Sequence, residues 1–237
     1  MKKIFLKFIK QKETCHGATS TVYEIIQGDY YAMKIMNIEM CKKETTNTTN
    51  KEDYSDNDYN DSDKDETTCE FDIDIDIDKI RRFYNEYLFI NQLNHQHIIK
   101  AFGFFYGNKK NPPSILLEYC PRSLKKHIHN LNDSDRKRII IEICDAMKEF
   151  HNAGLIRRDL KKENILLDSK KSIKVSDFGL CTLISYDTET FSRTQMAGTL
   201  MFMASEILQG KTDYNEKVDI YAFGIVVYFI VTEGEYP

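Results

Sequence analysis

Between residues 155 and 179, charged and amide side chains interrupt short apolar runs, and this pattern constrains the fold more than any other feature of the chain. The first stretch reads LIRRDLKKENILL and the second reads IKVSDFG. Asp159, Asn164 and Asp177 lie where the short apolar runs begin or end. Because such runs predict short buried strands, we expect the three side chains to converge on one point.

The chemistry of these three side chains narrows the function. Two carboxylates and one amide supply hard oxygen ligands, which suit Mg²⁺ and phosphate better than a soft metal. A pair of carboxylates is also the arrangement that glycoside hydrolysis uses. The additional Asn164, with Lys161 and the upstream Lys34, is not needed for that reaction. These residues therefore favour a phosphorylated substrate.

Strand patterns come before helix patterns along the chain. Residues 5–41 alternate apolar and polar positions and predict three antiparallel strands, and residues 98–120 predict two more. Apolar residues at helical spacing mark residues 79–93 and residues 133–152. This order predicts the α+β class, with a β-rich N-terminal lobe and a helical C-terminal lobe.

Each predicted helix contains a polar side chain with an expected role. Asp133 or Ser134 is the predicted N-cap of the second helix. In the first helix, Glu86 lies on the same stripe as the apolar residues Phe83 and Ile90. A carboxylate on the core face of a helix is costly unless it is paired, so we expect a cation beside Glu86.

Charge is distributed unevenly along the chain. Residues 42–79 hold 14 acidic and 5 basic residues, whereas the rest of the chain has a net charge of +5. The overall net charge of -4 lacks the strongly basic balance of a DNA-coating protein, so no nucleic acid partner is expected. Because apolar residues are scarce, residues 42–78 are predicted to form a disordered acidic insert.

The end of the insert allows other interpretations. Residues 71–78 alternate isoleucine with aspartate after an initial phenylalanine, which is also a strand pattern. Counting an EF-hand loop from Asp74 puts Lys79 and Asn85 where that loop needs glycine and glutamate. A solvated acidic linker is therefore a better interpretation than a calcium site.

Cysteine usage and hydropathy predict the compartment. The six cysteines are scattered without a zinc-binding spacing, and free thiols in a chain of this size predict an intracellular, cytoplasmic protein. Lys7 and Lys10 interrupt the first apolar run before it reaches the length of a signal peptide. The longest apolar run, residues 220–231, is too short to span a bilayer and predicts a buried helix.

Six motifs in order resemble those of eukaryotic protein kinases, most closely the Ser/Thr-specific branch. They are YAMK at 31–34, Glu86, RD at 158–159 with Asn164, DFG at 177–179, GT through ASE at 198–206, and DIYAFG at 219–224. The resemblance implies one bilobal protein-kinase-like domain over residues 5–237. Its N-lobe would span about 5–119, including the insert, and its C-lobe about 120–237.

The resemblance also implies a serine/threonine kinase that uses ATP and Mg²⁺ and acts on a protein substrate. Asp159 would be the catalytic base, and Lys161 would steady the γ-phosphate. Asn164 and Asp177 would bind Mg²⁺. The residues implied in ATP binding are Gly17, Val22, Ala32, Lys34, Glu86, Glu118, Cys120, Leu166 and Asp177. Those implied in the activation segment or in substrate binding are Thr194, Thr199 and Glu206.

Two departures from the family pattern favour an alternative function. In the phosphate-covering loop only Gly17 of three glycines remains, and Cys15 replaces the first. Arg157 replaces the histidine that joins an apolar stack with the phenylalanine of D-F-G. The guanidinium is expected either to point elsewhere or to make the active arrangement less stable. The alternative is a pseudokinase, a nucleotide-binding or scaffold module with little or no phosphotransfer.

The C-terminal end is the largest departure. The family continues with helices that cover the one predicted at residues 220–231, so the C-lobe is expected to lack its last helices. An exposed apolar helix face would then remain. Truncation, an incomplete gene model and a partner that covers this face are the open explanations.

Overall fold

The computed structural model describes residues 10–16, 20–27, 29–37, 77–108, 111–183, 199–211 and 213–237. Residues 42–76 of the predicted insert, Gly17 and Thr194 lie outside these ranges. In the described part, a β-sheet with one helix is followed by a mainly helical region. The predicted α+β class is therefore confirmed.

The N-terminal sheet has five antiparallel strands in the order β1-β2-β3-β5-β4. The strands are β1 (Lys10–His16), β2 (Ser20–Gln27), β3 (Asp29–Met36), β4 (Ala101–Phe105) and β5 (Ser114–Glu118). Along β3, Ala32, Lys34 and Met36 are buried, whereas the residues between them are half-buried. This period of two puts Lys34 on the core face of the sheet.

Helix α1 (Ile77–Gln92) packs against the sheet through its buried residues Phe83, Glu86 and Ile90. The helix begins two residues before the predicted Lys79. Ile77 and Asp78, which the sequence assigned to the insert, therefore belong to the helix. A first-turn Asp78 is favourable because the N-terminal end of a helix carries partial positive charge.

The C-terminal region is built around two long helices and several short elements. These are β6 (Arg122–Ser123), α2 (Leu124–His127), α3 (Asp133–Asn152), β7 (Leu155–Ile156), β8 (Ile165–Leu167), β9 (Ile173–Val175), β10 (Thr182–Leu183), α4 (Ser205–Leu208) and α5 (Lys217–Val231). Three 3₁₀ turns cover Ile128–Asn130, Lys162–Asn164 and Leu200–Phe202. Strand β8 lies between β6 and β9, so the stretch after Asn164 and the stretch before Asp177 are neighbours in one small sheet, whereas β7, before Asp159, pairs with β10.

The start of α3 corrects the predicted cap. The side chain of Asn132 accepts a hydrogen bond from the backbone N–H of Asp135 at 2.8 Å, so Asn132 is the N-cap. Asp133 and Ser134 are instead the first residues of the helix. The helix ends at Asn152 as predicted.

The two regions are joined next to the candidate site. After α1, the backbone N–H of Ile99 donates to the oxygen of Val175, and the N–H of Val175 donates to the oxygen of His97. These bonds continue the sheet of β9 towards the N-terminal region, two residues before Asp177. In the described part of the chain, each helix falls short of the length and apolarity that a membrane crossing requires.

Candidate active site

An ion triplet connects the N-terminal sheet, helix α1 and the segment after β9. The Nζ of Lys34 lies 2.7 Å from Oε1 of Glu86 and 2.8 Å from Oδ1 of Asp177. Glu86 Oε1 also accepts a hydrogen bond from the backbone N–H of Phe178 at 3.3 Å. The cation that the sequence required for Glu86 is therefore Lys34.

Charges within the triplet fix its protonation. Burial alone would lower the pKa of Lys34, yet the carboxylates of Asp177 and Glu86 raise it above its ordinary value. The ammonium of Lys34 holds the pKa of Asp177 well below its usual range, although burial opposes this shift. Burial raises the pKa of Glu86, and Lys34 opposes that change. Lys34 is thus a cation and Asp177 an anion at neutral pH.

Asp159 lies in a second polar cluster, on the loop between β7 and β8. Its Oδ2 accepts hydrogen bonds from Nζ of Lys161 at 2.6 Å and from Nδ2 of Asn164 at 2.9 Å. Its other oxygen, Oδ1, is buried and has no partner among the described residues. The arrangement orients one carboxylate oxygen through two donors and leaves the second one available as an acceptor.

Asn164 is held so that its amide oxygen remains available. Its Nδ2 donates to the backbone oxygen of Asp159 at 3.1 Å as well as to Oδ2. The backbone oxygen of Asn164 accepts from the N–H of Ser176 at 2.8 Å. This bond joins the Asp159 loop to the residue directly before Asp177, so a hydrogen bond connects the backbones of the two polar clusters.

Asp219 anchors the loop that contains Asp159 by binding its backbone, a role that the sequence analysis did not predict. Its carboxylate accepts the backbone N–H groups of Arg157 and Arg158, each at 2.9 Å, and lies 3.0 Å from Nε2 of His151. Arg158 has a φ of 65°, a left-handed conformation that is costly for a residue with a side chain. The available signal was a carboxylate near the start of the apolar helix α5, where burial requires partners.

Comparison with known proteins identifies the family of the region that contains Glu86, Asp159 and Asp177. The protein kinase domain family matches residues 68–236 of this chain. The chain is 35% identical over 173 residues to putative wall-associated receptor kinase-like 11 of Arabidopsis thaliana, covering 69% of this chain and 21% of that protein. The chain belongs to the protein kinase family. Wall-associated receptor kinase-like 5 from the same plant is 36% identical over 173 residues, covering 69% and 23% of the respective chains. The aligned region therefore spans about a fifth of the length of these curated relatives.

Arg157 is the most unusual residue of this kinase. Its side chain is 1% exposed, and its guanidinium lies 5.8 Å from the ring centre of Phe150 and 5.6 Å from that of Phe178. It donates to the backbone oxygens of Asp177, at 3.0 Å, and of Ser176. Of the two alternatives expected for Arg157, the first, that its side chain points elsewhere, is wrong, because two aromatic rings and two backbone carbonyls contact the guanidinium. The second, a less stable active arrangement, stays a prediction.

Several residues implied in ATP binding lie on the strands of the N-terminal sheet or on β8. Ala32 pairs with Leu117 across β3 and β5, and Val22 pairs with Lys34 across β2 and β3. Leu166 is half-buried on β8. These apolar side chains belong to, or pack against, the main hydrophobic core that also contains Phe178.

The side chain of Glu118 is occupied. Its Oε1 lies 3.0 Å from Nζ of the buried Lys174, and its Oε2 accepts the backbone N–H of Lys100 at 3.3 Å. Burial is the main effect that raises the pKa of the neighbouring Cys120 thiol, to about 12. The Glu118 carboxylate is therefore held by two contacts within the protein.

The predicted substrate residues are only partly described. Thr199 is exposed and its backbone oxygen accepts the N–H of Phe202 at 2.8 Å. Glu206 accepts a hydrogen bond from the hydroxyl of Ser205 at 3.2 Å, and among the described residues its side chain contacts neither polar cluster. The structure thus places Glu206 outside the site that contains Lys34 and Asp159, and Thr194 stays a prediction.

Proposed function

We propose that this kinase transfers the γ-phosphate of ATP to serine and threonine hydroxyls of protein substrates. The observation that carries the proposal is the buried, unpartnered Oδ1 of Asp159. Its carboxylate is oriented by Lys161 and Asn164 through the other oxygen. A buried acceptor without a donor is unfavourable on its own, so the arrangement favours a substrate hydroxyl as the missing donor.

The ion triplet supports binding of ATP with Mg²⁺. Lys34 would contact the α- and β-phosphates, and Glu86 would hold the ammonium in place. Asp177 and Asn164 would hold the metal, since their oxygens are hard ligands and Asp177 engages Lys34 through only one of its two oxygens. The metal, when bound, neutralises charge on the phosphate groups.

The chain's own groups account for the transfer step. The substrate hydroxyl donates a hydrogen bond to Oδ1 of Asp159, and its proton moves to that oxygen as the hydroxyl oxygen bonds to the γ-phosphorus. The bond from this phosphorus to the departing ADP oxygen breaks, and ADP keeps the electron pair. Lys161 would steady the negative charge of the transferred group, and Thr199 would shape the floor beneath the hydroxyl.

The same proposal includes a cellular compartment and a polypeptide partner for helix α5. Among the described residues, Cys120, Cys144 and Cys181 are free thiols, which supports a reducing compartment such as the cytoplasm. Helix α5 exposes Ile220 and Tyr221 among its apolar side chains, which supports contact of this face with another polypeptide.

A nucleotide-binding module without phosphotransfer is the second candidate. Arg157 favours it, because a buried cation replaces the family's histidine directly beneath the D-F-G segment. Cys15, in place of the first glycine of the phosphate-covering loop, favours weaker ATP binding. The two candidates share the fold and differ only in whether phosphate leaves ATP.

A transfer assay separates the candidates. The 237-residue chain is incubated with ATP and Mg²⁺ and a generic protein substrate, and phosphoamino acids are identified after hydrolysis. Phosphoserine or phosphothreonine is expected, and Asp159→Asn lowers the rate by at least about 100-fold. The matched Asp213→Asn, at an exposed residue outside the site, leaves it unchanged. ATP-dependent thermal stabilisation without transfer would support the second candidate, and phosphotyrosine alone would overturn the Ser/Thr assignment.

A further inference from the structure

Lys162 is a buried lysine on the loop that also carries Asp159. It is 5% exposed, and its Nζ lies over three aromatic rings. The ring centres of Phe202 and Phe229 are each 5.3 Å away, and that of Tyr236 is 4.3 Å away. We call these three rings the Lys162 cage. A lysine is almost never buried to this extent without specific partners, so this arrangement requires explanation.

The cage and one carboxylate together compensate the buried ammonium. Oε1 of Glu163 lies 3.2 Å from Nζ of Lys162, but it lies equally far from Nζ of Lys125. The carboxylate therefore shares its charge between two cations. The faces of aromatic rings carry partial negative charge and attract a cation within about 6 Å. The three rings thus supply the rest of the compensation for Lys162.

The cage joins parts of the chain that are distant in sequence. Phe202 ends the 3₁₀ turn Leu200–Phe202, Phe229 lies on helix α5, and Tyr236 follows that helix. The neighbouring side chain of Lys161 instead pairs with Asp159. Adjacent lysines therefore hold the loop from two sides, one at the proposed catalytic base and one at the cage.

The connection through Phe202 reaches the proposed substrate floor. The backbone N–H of Phe202 donates to the oxygen of Thr199 at 2.8 Å, and that of Met203 donates to the oxygen of Leu200 at 3.2 Å. The backbones of Phe202 and Thr199 are therefore directly connected, and we expect a shift of Phe202 to be transmitted to Thr199. Lys162 lies three positions after Asp159. The cage therefore sets the distance between Thr199, at the proposed substrate floor, and Asp159, the proposed catalytic base.

We propose that Lys162 is a positioning residue that fixes the segment Thr199–Met203 against the Asp159 loop through its cation–π cage. The statement about the fixed segment stands on the structure alone, whereas its consequence for phosphate transfer rests on the proposed function. Neutralising Lys162 removes the attraction to three rings and leaves Glu163 with Lys125 as its remaining cation.

The kinetic test compares three variants of the 237-residue chain. Lys162→Met keeps the length of the side chain and removes its charge, and it lowers kcat for a peptide substrate about tenfold while the KM for ATP changes less than about twofold. Lys162→Arg retains a cation over the rings and restores most of the kcat. Lys126→Met, at an exposed lysine of α2, serves as the matched control without effect. A kcat for Lys162→Met equal to that of the wild type would overturn the proposal.

Amide hydrogen exchange tests the cage without any activity. Exchange at Phe202 and Met203 is expected to accelerate about tenfold in Lys162→Met and to stay near the wild-type rate in Lys162→Arg. Strand β5 (Ser114–Glu118) serves as an internal reference. Unchanged exchange at Phe202 would refute the cage even if the kinase is active. If the wild-type chain shows no phosphotransfer but exchange still accelerates in Lys162→Met, the cage is supported and the proposed function is rejected.

Tyr236→Leu provides a second variant in case Lys162→Met does not fold. It removes the nearest ring and leaves Lys162 with Glu163 and two rings. Exchange at Phe202 is expected to accelerate less than in Lys162→Met but above the wild-type rate. Equal exchange in Tyr236→Leu and the wild type would contradict a cage in which the rings act together.

Discussion

The Nζ of Lys34 lies 2.7 Å from Oε1 of Glu86, although the two residues are 52 positions apart and belong to a strand and a helix. Both side chains are buried, so each charge depends on the other for compensation. The position of α1 against the sheet is therefore linked to the state of Lys34.

Glu86→Gln is expected to lower phosphotransfer about 10- to 100-fold, because Lys34 then pairs with Asp177 alone and is drawn away from the phosphates. The measurement is kcat/KM for ATP with a protein substrate. Glu149→Gln, at a half-buried carboxylate on α3 outside both polar clusters, is the matched control. An unchanged kcat/KM in Glu86→Gln would show that the ion pair does not support the reaction.

Arg157→Met is expected to lower the free energy of unfolding by about 2 kcal/mol, because the backbone oxygens of Ser176 and Asp177 lose their buried donors. Arg157→His introduces the residue that the family has at this position and is expected to restore part of this loss through one ring N–H. Urea unfolding at pH 7 measures both, with the exposed Lys137→Met as control. If Arg157→Met proves more stable than the wild type, the burial cost of the guanidinium outweighs its contacts.

The depressed pKa of Asp177 predicts an acid-labile contribution to stability. A carboxyl whose folded pKa lies below its ordinary value of 3.8 stabilises the fold fully above that value, and this contribution is lost as the pH falls through the folded pKa. Because 44% of the Asp177 side chain is exposed, solvent screening moderates the effect. The free energy of unfolding, measured with urea from pH 7 down to pH 3, is expected to fall less in Asp177→Asn than in the wild type. An equal loss of stability in both proteins would contradict the assignment of this loss to Asp177.

Thiol labelling tests the electrostatics of the region near Cys120. Burial, aided by Glu118, raises the pKa of this thiol to about 12, so little thiolate is present at pH 7.5. Cys144 on α3 is exposed. We expect iodoacetamide to label Cys144 at least about tenfold faster than Cys120, as measured by mass spectrometry of peptides. Faster labelling of Cys120 would contradict its burial.

Local patterns were sufficient for the strands of the N-terminal sheet and for the long helices. The alternation over residues 5–41 and 98–120 predicted all five strands of the N-terminal sheet, because period two follows from strand geometry alone. Local patterns did not determine the boundaries of the helices. Helix α1 begins at Ile77 within what was assigned to the insert, and Asn132 caps α3, since a cap depends on which backbone N–H groups its side chain reaches.

The need for a cation at Glu86 could be read from the sequence, because a carboxylate on an apolar helix stripe must be paired. The role of Lys34 followed from the order of six motifs rather than from Lys34 itself. Asp219 was assigned to a motif, but its bonds to the N–H groups of Arg157 and Arg158 could not be inferred. They join positions about 60 residues apart, and no local pattern encodes that proximity.

By itself, the sequence determined the α+β class, the family and the chemical types of the proposed active-site groups. Only the tertiary structure decided what the buried cations contact. In the tract RRDLKKEN, Lys162 looks like an ordinary surface charge, and Arg157 looks incompatible with an apolar stack. The fold nevertheless packs aromatic rings against both cations. The physical reason is that desolvation of a charge depends on residues from distant segments, which meet only once the chain has folded.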